Sequence, residues 1–141
     1  MIRNRILLVF IILVLAAMLL FVGCAPREAP PEITDLGKST AIEQIKAYPE
    51  VLDAAITQDG YDLSLAIIVP KDTSEAQAKE LGENFVRLVK TLGLLDSDKR
   101  EPPPEKEIGE GIFNYLITVA SPDQKIIAQG AKVSFATHIT W

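Results

Sequence analysis

Val51-Leu-Asp-Ala-Ala-Ile-Thr-Gln-Asp-Gly60-Tyr-Asp-Leu-Ser-Leu-Ala-Ile-Ile-Val69 carries the clearest tertiary signal in this 141-residue chain. Asp59-Gly60 suits a type I′ turn, whose backbone twist matches that of two antiparallel strands. After the turn, Tyr61, Leu63, Leu65, Ile67 and Val69 alternate with Asp62, Ser64, Ala66 and Ile68. That two-residue period describes a strand with one buried face. The stretch therefore predicts a hairpin of strands over 51–58 and 61–69.

Downstream, Pro70 ends the strand and Asp72-Thr73-Ser74 offers helix caps, with Ser74 and Gln77 spaced as a capping box. Ala78, Leu81, Phe85, Leu88, Leu92 and Leu95 recur every three or four residues and form one apolar stripe. Lys79, Glu83 and Arg87 succeed one another at i,i+4 on another side, a solvated charge ladder. Gly93 suits the C-terminal end of this helix. Asp96 to Gly111 holds Pro102-Pro103-Pro104, six acids and three bases, and reads as a mobile charged loop.

A third strand is expected over 112–120, with Phe113, Tyr115, Ile117 and Val119 on one face. Ser121-Pro122-Asp123-Gln124 is a turn. The fourth strand starts at Lys125 and extends toward Trp141 with a kink at Gly130. On it, Val133, Phe135, Thr137, Ile139 and Trp141 would share one face, and Lys132, Ser134, His138 and Thr140 the other. Upstream, Thr40-Ala-Ile-Glu43 has the capping-box spacing of a short helix that Tyr48-Pro49 ends. The order is helix, hairpin, helix, hairpin. It predicts an α+β fold, a four-stranded antiparallel sheet with two helices on one face.

The N-terminus is different in kind. Arg3 and Arg5 precede 17 consecutive apolar residues, Ile6 to Val22, and the run stops at Gly23-Cys24-Ala25-Pro26. Positive, apolar and small-residue segments in that order make an export signal, which places the remainder of the chain outside the cytoplasm. The competing reading is an uncleaved anchor, since 17 residues is the short end of a bilayer span. Residues 25–38, with Pro26, Pro30 and Pro31 among charges, read as an extended tether. The domain is then 39–141.

Phe21-Val22-Gly23-Cys24 resembles the lipobox of bacterial lipoprotein precursors. The resemblance implies cleavage between Gly23 and Cys24 and a covalent diacylglycerol on the Cys24 sulfur. It also implies membrane attachment through that lipid and an extracytoplasmic location. Two acyl chains hold a small domain stably, because each buried methylene contributes about 0.8 kcal/mol. A small lipoprotein with this element order is also faintly similar to sporulation lipoproteins, which would place it in the spore envelope.

Beyond the prefix the chain has 12 basic and 19 acidic groups. It lacks the basic face needed to displace phosphate counterions, so nucleic acid is not an expected partner. One cysteine and one histidine, His138, leave too few ligands for a zinc site, and no cofactor beyond the lipid is expected. No phosphate-binding glycine loop, nucleophile elbow or His/Cys cluster occurs in the sequence. The expectation is a non-enzymatic binding or assembly module. Its candidate face carries Asp62, Ser64, Lys132, Ser134, His138 and Thr140. An envelope protein, a glycan or a second copy of the chain would occupy it. An extracytoplasmic enzyme is the rival class.

Overall fold

The computed structural model describes residues 28–141. The apolar prefix, Gly23, Cys24 and the first tether residues lie outside them. No helix among the described residues is long and apolar enough to cross a membrane.

The elements are α1 (Asp35–Lys46), β1 (Asp53–Asp59), β2 (Asp62–Ile68), α2 (Glu75–Leu92), β3 (Asn114–Ala120) and β4 (Ile126–Lys132). They form the expected α+β fold, with sheet order β1-β2-β3-β4. β1 and β2 pair antiparallel from Asp53↔Ile68 to Asp59↔Asp62. The turn is therefore Gly60-Tyr61, one residue later than expected. Gly60 has φ +62° and Tyr61 is not in the positive region, the pattern of a type II′ turn.

The central pair differs from the expected antiparallel arrangement. β2 and β3 run parallel, in register from Asp62↔Asn114 to Ile68↔Ala120. The reason is the intervening helix. α2 has 18 residues and is roughly 27 Å long, enough to carry the chain back past the whole of β2. β3 then starts at the end where β2 started, which is a crossover connection. β3 and β4 pair antiparallel, with an irregularity between Val119 and Ala120.

Side-chain alternation makes one face of the sheet the core. Ile56, Leu63, Leu65, Ile67, Tyr115, Ile117 and Val119 are buried, while Asp62, Ser64, Ala66 and Leu116 are exposed. α2 is capped as expected, Ser74 accepting from Gln77 N and the Gln77 side chain accepting from Ser74 N. Its Ala78, Leu81, Phe85, Val86 and Val89 are buried in the same cluster as Ala41 and Ile45 of α1.

α1 begins well before the expected start. Thr34, not Thr40, is the N-cap, accepting from Gly37 N at 2.9 Å. Thr40 lies inside the helix and donates to Leu36 O at 2.7 Å. The tether assignment fails over its C-terminal part for the same reason. Thr34 N donates to Gly93 O at 2.9 Å and Thr34 Oγ1 to Leu95 O at 2.6 Å. Gln58 reaches back as well, accepting from Ile33 N and donating to Pro31 O. The chain touches the domain from Glu28 onward, since Glu28 O accepts from Tyr61 OH at 3.3 Å and its carboxylate lies 3.5 Å from Lys99 Nζ.

β4 stops at Lys132, and the last residues double back beside it instead of extending the strand. Ala131 and Thr140 exchange backbone hydrogen bonds at 2.9 Å in each direction. Ile139 and the Trp141 ring lie against Gly130, and the same ring reaches Gly82 of α2. Two glycines facing the indole let the C-terminus lie over the β4 edge of the core.

Candidate functional site

The exposed face of the sheet is built by strand alternation. Thr57, Ser64, Leu116 and Ala131 form a row across all four strands, set by the pairs Thr57↔Ser64, Ser64↔Leu116 and Leu116↔Ala131. Leu116 is 46% exposed, an apolar side chain at the centre of a polar surface. A depression of about 590 Å³ lies here, lined among others by Asp62, Ser64, Asn114, Leu116 and Val133. Beside it Gln129 donates to Thr118 across strands at 3.2 Å.

Four of the six expected face residues belong to this region. Asp62 and Ser64 are exposed on β2. Ser134 joins them through Asn114, whose side chain donates to Asp62 Oδ1 at 2.8 Å and accepts from Ser134 N at 2.8 Å. Thr140, as the partner of Ala131, shares its exposed side. Asn114 is not conspicuous in the sequence, because an asparagine at a strand start reads as a boundary residue.

Lys132 borders the depression without presenting its side chain on the exposed face, and His138 lies away from it. Lys132 lies opposite Tyr115 in the β3–β4 register, points into the covered side and is only 1% exposed. The outward assignment requires a strand that continues to Trp141, and β4 does not. His138 is exposed in the turn region after β4, its Nδ1 3.3 Å from Thr137 Oγ1.

The second unusual place is a buried polar cluster at the end of the core. It joins Lys90 of α2, Glu101 of the charged loop, Tyr115 of β3 and Lys132 of β4. Lys90 and Glu101 are 3% and 7% exposed. Glu101 Oε1 accepts from Ile112 N at 2.7 Å and Phe113 N at 3.2 Å, and Oε2 accepts from Tyr115 OH at 2.5 Å. Lys90 Nζ donates to Glu110 O at 2.8 Å, and Lys132 Nζ donates to Val133 O. Lys132 also stands 5.9 Å from the Tyr115 ring centre, within cation–π range.

These contacts tie loop 96–111, expected from the sequence as a mobile charged loop, to the domain at several points. Arg87, expected only as a rung of a solvated ladder, donates to Glu105 O at 2.7 Å and Lys106 O at 3.0 Å. Gly109 N and Gly111 N donate to Thr137 O and Ser134 O. Ile108 is buried in the core. The loop is long because it must bring one carboxylate and one apolar side chain inward while its other charges stay in water.

Burial shifts the basic and phenolic groups of the cluster. Desolvation lowers the pKa of Lys90, with Glu101 opposing. Desolvation and repulsion from Lys90 lower that of Lys132, with Glu101 and Glu110 opposing. Tyr115 is raised well above 10.0, first by burial and then by the Glu101 charge and hydrogen bond. The phenol is therefore a neutral donor in the folded state. A raised acid favours the folded state below its unfolded pKa, so this contribution is complete below pH 10.0 and is lost as pH rises further. The lysine shifts act the other way, adding stability with rising pH up to their ordinary 10.5. Tyr115→Phe should cost about 1–2 kcal/mol at neutral pH by removing a charge-assisted hydrogen bond. It should also abolish part of the fall in stability above pH 10.0. Urea unfolding of parent and variant at several pH values from about 7 to about 11 checks both signs. A difference between them that stays constant across that range would contradict the tyrosine assignment.

No family model matches the chain, and no curated protein or solved structure matches it either.

Proposed function

We propose that the chain is a lipid-anchored extracytoplasmic lipoprotein whose α+β domain is a non-enzymatic binding or assembly module. The observation that carries the first half is the order Arg3, Arg5, seventeen apolar residues, then Gly23-Cys24. Cleavage before Cys24 and diacylglycerol on its sulfur would hold the domain at the outer side of the membrane. With the chain in contact with the domain from Glu28, this reading leaves at most residues 24–27 to act as a tether. At about 3.1 Å per residue the domain then sits roughly 12 Å from the lipid at most, close to the headgroups.

The module half is supported by the exposed sheet face. In this reading both helices cover the opposite face, and the row Thr57, Ser64, Leu116, Ala131 is the contact surface. A shallow sheet face with Leu116 and Val133 exposed among short polar side chains suits an extended partner surface better than a small molecule. An envelope protein, a glycan or a second copy of the chain is the partner class.

Site-specific photo-crosslinking in intact cells tests it. A photoreactive side chain at Ser64 or Gln129 should give one discrete adduct, and one at Glu80, exposed on α2, should give none. Equal crosslinking at all three positions, or none at any, would contradict the face assignment.

A further inference from the structure

Glu101 is held as a bound ligand is held. Its carboxylate receives two consecutive backbone N–H groups, from Ile112 and Phe113, and the Tyr115 hydroxyl. The Lys90 ammonium is bonded to Glu110 O instead of to this carboxylate and acts on it through its charge. A Cβ on Gly111 would collide with Glu101 Oε1 and lie 2.7 Å from Lys90 Nζ, so the missing side chain is what lets both groups crowd one point. The donors come from the two residues that lead into β3 and from Tyr115 on it. The acceptor comes from an acidic loop whose other charged side chains are exposed. The adjoining stretch, Pro102 to Glu110, walls a depression of about 590 Å³.

We infer that the Ile112–Phe113 backbone and Tyr115, with the charge of Lys90 nearby, form a carboxylate-binding site that the chain fills with its own Glu101, and that an external carboxylate can take Glu101's place. The chemistry selects the class. Two adjacent N–H donors plus a neutral phenol match the two oxygens of one planar carboxylate, and the ammonium adds charge without demanding a second anionic group. The desolvation cost of a buried carboxylate is met only when every oxygen is paired, so an empty site is unstable and a filled one is not. Loop 96–111 is thus an internal occupant. Its ties through Arg87, Lys90, Gly109 and Gly111 are to backbone oxygens and do not need Glu101. This inference does not rest on the lipoprotein reading or on the sheet face.

Chemical rescue tests it on the full chain in detergent, read by thermal unfolding and by emission of Trp141, the only tryptophan. Glu101→Ala leaves three buried donors without an acceptor and should lower Tm by roughly 10 °C or more. Sodium formate or acetate should restore a saturable part of that loss in the variant, whereas sodium chloride at equal ionic strength should not. The parent, whose site is occupied, should respond to both salts alike. Acetate and chloride acting equally on the variant, or formate raising the parent as much as the variant, would overturn the inference. Should Glu101→Ala not fold in chloride, refolding from urea in formate against chloride answers the same question. Native Trp141 emission recovered only in formate supports the site, and no recovery in either salt overturns it.

Discussion

Gly37→Ala is expected to destabilise the domain by about 3 kcal/mol, lowering Tm by roughly 10–20 °C. Gly37 is buried in the first turn of α1, where the helix meets the end of α2. A Cβ there would overlap Leu92 O and lie 2.5 Å from Gly93 O and 2.8 Å from Gly93 C. All three are backbone atoms. They cannot rotate away as a flexible side chain would, so either α1 or the end of α2 must move. Movement would strain the bond from Thr34 N to Gly93 O and that from Thr34 Oγ1 to Leu95 O. The alternative has the opposite sign. If residues 25–38 were a free tether or an unpacked helix end, alanine would be neutral there or would stabilise by up to about 1 kcal/mol. A Tm at or above that of the parent, measured by thermal unfolding, would contradict the docking of α1 on α2.

Cys24→Ala should abolish incorporation of labelled fatty acid altogether, the largest effect expected of any single substitution. The sulfur is the only atom in the chain suited to a diacylglyceryl thioether, since Cys24 is the sole cysteine. Cleavage before residue 24 depends on that modification in the lipoprotein reading, so the variant should accumulate as the uncleaved precursor. It should stay with the membrane fraction, because Ile6–Val22 is itself apolar enough to remain in the bilayer. Fractionation alone therefore does not discriminate, and the label does. Equal incorporation into variant and parent would refute the role of Cys24.

The parts of the fold that can be read from the sequence are those where one local pattern has one structural meaning. Alternation through Leu63, Leu65 and Ile67 and the Ser74–Gln77 box both reappear in the structure at the expected places. The parallel pairing of β2 with β3 is not a local property. Both directions expose the same alternation, and only the return path of α2 decides between them. Thr40–Glu43 has capping-box spacing but sits inside a helix whose cap is Thr34, because spacing cannot tell a helix start from a helix interior.

The candidate site is legible in proportion. Asp62 and Ser64 can be found because their alternation holds along the whole of β2. Lys132 defeats the same reasoning, because polarity is not exposure. Its ammonium finds Val133 O and the Tyr115 ring inside the fold. Glu101 gives no signal at all among the acids of a proline-rich loop, since its burial depends on donors from Ile112, Phe113 and Tyr115.

A folded domain hanging from a lipid on residue 24 is the central claim, and intact mass spectrometry of the chain extracted from membranes tests it most directly. The expected species is a polypeptide beginning at Cys24, lacking both methionines, with the added mass of a diacylglycerol group on its first residue. A chain that retains Met1 to Gly23 and carries no added lipid mass would contradict it.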